Sequence, residues 1–97
     1  MAIYRHLMKK KFRVKDREFI LDDVERFYIA VVIKSGYGDE TTEISLEWFD
    51  NGGSSKVDLV GFGIFVTPKG GENERFLFKS REELDTAVGI IYNQIKA

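Results

Sequence analysis

Seven of the first seventeen residues are cations, Arg5, Lys9, Lys10, Lys11, Arg13, Lys15 and Arg17, against a single acid, Asp16. Such a run neutralises phosphates, and Phe12 within it offers a ring on which a base can stack. The remaining eighty residues hold eight cations and fifteen acids, so a segment of net charge +6 precedes a body of −7 and the chain sums to −1. Two uses of the segment follow from that split. It docks a nucleic acid or other polyanion through Lys9, Lys10, Lys11, Arg13, Lys15 and Arg17, or it lies across the protein's own acidic surface. The acidic body repels a polyanion everywhere else, which makes such binding weak and steeply salt-dependent. Phe12 also falls in the period of a strand, which assigns its ring to the core.

Other reactive constellations are sparse. Cysteine is absent and His6 is the single imidazole, which removes thiolate catalysis, disulfides and metal sites built from Cys or His clusters. A serine or threonine nucleophile needs a base within hydrogen-bond reach, and the one imidazole sits in the basic segment. The acids Asp22 with Asp23, and Asp39 with Glu40, fall in turns, where carboxylates accept local hydrogen bonds. Asp22, Asp23, Glu25 and Asp50 match no calcium-loop spacing. Gly36 and Gly38 form a G-x-G, but a strand follows it where a phosphate loop requires a helix. These readings predict a protein with no enzymatic activity, no cofactor and no metal.

The elements that would position a binding surface are more legible. Residues 80–96 read as an amphipathic helix, because Leu84, Ala87, Val88, Ile91, Tyr92 and Ile95 share one stripe. Ser80 with Glu83 forms a capping box, and Glu82, Glu83 and Asp85 suit the positive end of the helix. Everything before it reads as strand. Phe12 with Val14 and Phe19 with Leu21 flank Lys15, Asp16 and Arg17 as a short hairpin. Residues 25–34 are apolar on both parities, the mark of a central strand. Residues 41–49 alternate, with Ile44, Leu46 and Trp48 directed inward. Residues 56–67 form a long apolar strand whose Gly61 and Gly63 share a face, expected at a sharp bend, a bulge or a close approach of the helix, with the floor of a ligand site as the alternative. Residues 75–78 make a last strand feeding the helix.

The expected fold is therefore α+β: an antiparallel meander of five to six strands, flat or strongly bent, packed against one C-terminal helix. Residues 1–11 form a basic arm or short helix, and 12–97 a single domain. With no apolar run long enough to span a membrane, the expectation is a soluble, cytoplasmic protein.

Protein binding demands the fewest coincidences, in a regulatory, adaptor or inhibitory role. Tyr37, an aromatic at a loop tip, with Asp39 and Glu40 on the same loop, is expected to contact the partner. Lys69 and Glu72 join them if a meander brings residues 68–73 to the same end. Ile90, at the flank of the helix stripe beside Thr86 and Gly89, offers a place for a neighbouring chain to pack. A homodimer through a sheet edge or the helix is a further arrangement the sequence allows.

Overall fold

A computed structural model describes residues 10–35 and 38–96. Six strands and two α-helices follow in the order β1 (Lys11–Val14), β2 (Arg17–Ile20), β3 (Val24–Lys34), β4 (Thr41–Ile44), α1 (Leu46–Asp50), β5 (Leu59–Pro68), β6 (Glu74–Phe78) and α2 (Arg81–Lys96). Short 3-10 turns cover Leu21–Asp23 and Gly53–Lys56. The α+β class, the antiparallel sheet and the C-terminal helix stand as expected. The strands divide into a β1–β2 hairpin and an open four-stranded sheet of order β4-β3-β5-β6, antiparallel throughout.

One face of the large sheet carries the main core. Val31, Ile33, Phe62, Ile64 and Val66 point into it and meet Leu84 and Ile91 of α2 and Phe12, Val14 and Phe19 of the hairpin. Helix and hairpin lie side by side on that face. The Arg13 N–H, on the hairpin edge away from β2, donates to Gln94 Oε1 at 2.8 Å, and Lys10 Nζ donates to the Ile95 carbonyl at 2.6 Å. Aromatic rings knit the layers: Phe12 stacks on Phe19 with centroids 5.4 Å apart, and Phe19 meets Phe76 edge-on at 6.0 Å. The central position expected for residues 25–34 is realised, since both Val31 and Val32 are fully buried on opposite faces.

The second face holds a smaller cluster of Ala30, Val32 and Phe65, with Tyr28 and Leu77 against it. The Tyr28 ring stacks flat on Phe65 at 4.7 Å, and its hydroxyl donates to Glu43 at 2.9 Å. Burial is the main cause that pushes the Tyr28 phenol above its ordinary pKa, reinforced by the Glu43 hydrogen bond. The paired glycines belong here. A Cβ on Gly63 would stand 2.6 Å from the Phe65 ring, and one on Gly61 3.1 Å from the Phe78 carbonyl. Close approach of Phe65 and of β6, rather than of the helix, accounts for both, and the register slips beside Gly61 as well.

Three expectations are corrected. The strand over 41–49 stops at Ile44, because Ser45 Oγ accepts from the Trp48 N–H at 3.1 Å and caps α1. Leu46 and Phe49, three apart, then turn inward while Trp48 is left half-exposed over the backbone of Gly53. Secondly, α1 and the turn after it carry the chain past β3, so β5 pairs with β3 and not with β4. Thirdly, Tyr92 is 61% exposed and leaves the helix stripe, with Lys96 Nζ above its ring. In α2 itself, the Glu83 N–H donates to Ser80 Oγ, while Glu83 reaches back to the N–H of Lys79, one residue beyond the expected one.

Candidate functional site: a groove beside the terminal helix

The stripe of α2 that meets the core is narrow. Leu84 and Ile91 are buried and Ala87, Val88 and Ile95 partly so. Ile90 precedes Ile91 by one residue and so points about 100° away around the helix, which keeps it off the stripe. It is 51% exposed. Ala87, one turn earlier, is too small to fill the space beside it. Between this flank, the end of β6 and the hairpin turn lies an open groove of about 700 Å³. Phe78, Ala87 and Ile90 supply its apolar surface, and Lys15, Glu82 and Glu83 its charged rim.

The far wall is held by the hairpin. Its two-residue turn places Lys15 at φ 54°, in the left-handed region. From there Lys15 Nζ donates to the Leu77 carbonyl at 2.5 Å and sits 4.9 Å from the centre of the Phe78 ring. Since β6 is the last strand of its sheet and the Leu77 carbonyl points outward, Lys15 also blunts an open strand edge. Arg17 clamps the same strand through two hydrogen bonds to Glu74, at 2.7 and 2.6 Å. That contact holds the Glu74 carboxyl below the usual glutamate range and raises the guanidinium. At the start of α2, Arg81 bridges Asp50 at 2.6 Å and Asp85 at 3.0 Å, tying the helix to α1.

The described part of the basic segment, residues 10–17, is thus engaged with the protein itself. Lys11 and Arg13 flank Glu18 at 3.9 and 3.6 Å, Arg17 holds Glu74, and Lys10 and Lys15 bind backbone carbonyls. Phe12 is 2% exposed and packs in the core. Lys9 and His6 lie outside the described residues.

The loop residues expected to meet a partner are not brought together. Tyr37 lies outside the described residues. Asp39 and Glu40 are exposed in the turn closed by the Ser35 N–H on the Glu40 carbonyl. Lys69 and Glu72 are exposed at the opposite end of β3, where the Lys69 N–H donates to the Asp23 carbonyl. The sheet register puts Val24 opposite Pro68 and Ile33 opposite Leu59, so roughly 30 Å of strand separates the two loops. The strand order is the reason: a strict meander would have placed them together.

Among the described residues no charged or polar side chain is buried, and no three acids gather as a metal site requires. Asp50 is committed to Arg81. No described helix is long and apolar enough to cross a membrane. Of the groove residues, Ile90 and Thr86 carried a signal in the sequence, the apolar side chain set off the stripe. Phe78, Ala87, Glu82 and Glu83 carried none, because their part depends on where the hairpin turn falls. No protein family, curated protein or solved structure significantly matches the chain, so its function rests on this geometry.

Proposed function

We propose that the protein is a small, non-enzymatic, cytoplasmic binding module that grips a segment of another protein in the groove beside α2, in a regulatory, adaptor or inhibitory role. The half-exposed Ile90 at the groove carries this reading. Of the other exposed large side chains, Trp48 rests on Gly53, Tyr92 lies under Lys96 and Phe27 packs against Phe12, while Leu59 and Val60 at the start of β5 do not line the groove. Ile90 instead borders an open hollow whose apolar floor of Phe78 and Ala87 is ringed by polar and charged side chains, a surface that an apolar side chain of a partner fills. Covering an isoleucine that is half-exposed is worth about 1 kcal/mol, so the groove contributes specificity within a larger contact.

Selection of a random peptide library displayed on phage against the immobilised full chain tests the reading, with Ile90→Glu as the counter-target. The variant alters an exposed position and should keep the wild-type circular dichroism. Enriched peptides should bind the wild-type chain and lose most of their binding to Ile90→Glu. Peptides that bind both chains equally, or no enrichment on the wild-type chain, would refute it.

A further inference from the structure

The groove has a charge asymmetry that restricts what it can hold. Its lining has two carboxylates, Glu82 and Glu83, and one ammonium, Lys15. The ammonium is already directed at the Leu77 carbonyl and the Phe78 ring. Glu83 accepts from the Lys79 N–H through one oxygen, whereas Glu82 is exposed and makes no hydrogen bond or ion pair among the described residues. The neighbouring cation on the helix, Arg81, is held by Asp50 and Asp85. Two full negative charges on the first turn also outweigh the roughly half unit of positive charge at a helix N-terminus.

We infer that the partner segment pairs an apolar side chain, seated on Phe78, Ala87 and Ile90, with a lysine or arginine one or two residues away that faces Glu82. The apolar side chain supplies the contact. The cation selects orientation and excludes acidic segments, which the same carboxylate repels. This inference rests on the binding reading above and fixes the chemistry of the partner. A site exposed to water limits the charge preference to about fivefold at most, and salt reduces it.

The same display selection, run in parallel on the wild-type chain, Ile90→Glu and Glu82→Lys, tests the inference apart from the reading it rests on. Glu82 is exposed, so its replacement leaves the fold and the apolar wall of Phe78, Ala87 and Ile90 in place while reversing the charge of the rim. Peptides dependent on Ile90 should be enriched in Lys or Arg next to an apolar residue when selected on wild type, and in Asp or Glu when selected on Glu82→Lys. If Ile90-dependent peptides show no charge bias, or keep a basic bias on Glu82→Lys, the inference is overturned while the groove remains a binding site. If no enriched peptide depends on Ile90, the binding reading fails and the inference falls with it.

Discussion

Replacing Gly63 by alanine probes the sheet face turned away from the helix. The new Cβ would stand 2.6 and 2.8 Å from Cε1 and Cζ of Phe65, so the ring must retreat by about 0.8 Å to reach ordinary contact at about 3.4 Å. Retreat is hindered. Phe65 is 1% exposed, and Tyr28 is stacked against it with planes 7° apart. Overpacking a site of this kind costs about 1 to 3 kcal/mol. Alanine recovers about 0.5 to 1 kcal/mol by restricting the unfolded chain, which leaves a net loss centred on about 1.3 kcal/mol and at most about 2.5 kcal/mol. For a domain of this size that lowers Tm by roughly 5 to 15 °C. Urea unfolding followed by circular dichroism would show the midpoint falling with an unchanged slope. Gly61→Ala meets the Phe78 carbonyl at 3.1 Å and Leu77 at an ordinary 3.7 Å and should cost less. In a Phe65→Leu background the Gly63→Ala penalty should vanish, a coupling of about 1 kcal/mol or more. A Gly63→Ala protein as stable as wild type would refute the claim that Phe65 is pinned over that glycine.

Other expectations follow from single sites. Gly89 sits inside α2 with nothing within 4 Å of an added Cβ, so Gly89→Ala should stabilise by about 0.5 to 1 kcal/mol in the same assay; a loss would mean that this face is covered. Arg17 depresses the Glu74 pKa in the folded chain, so between the folded and unfolded values the unfolded chain binds more protons and stability rises with pH. The wild-type chain should therefore lose more stability than Glu74→Gln as pH falls through the acid range, as thermal unfolding at a series of pH values would show; parallel curves would refute the pairing. Finally, because the described cations of residues 10–17 are engaged with the protein itself, labelled single- and double-stranded nucleic acid should show no micromolar binding by anisotropy at about 50 mM salt. Micromolar binding that collapses by about 200 mM salt, and is lost when Lys9, Lys10 and Lys11 are reversed to glutamate, would instead establish the basic segment as a polyanion site.

Local periodicity and capping chemistry were enough to specify the terminal helix, the hairpin about Lys15 and Asp16 and the apolar pattern of β3. Each of these depends on residues within a few positions of one another. The end of β4 was legible too, in a serine three residues before Trp48, but the alternation of Ile44, Leu46 and Trp48 pointed to a strand and hid it. What only tertiary structure decided was which strand lies beside which. The route through α1 past β3 sets β5 against β3, and that pairing sends the loops of Asp39 and Lys69 to opposite ends of the sheet. It also lays the hairpin over β6, so that Lys15 meets Leu77 and Phe78 across more than sixty residues of chain. Composition showed a basic segment before an acidic body. Whether those charges face a partner or each other depends on distances of a few ångströms between residues far apart in sequence, and Coulomb attraction in water at that range is decided by the fold.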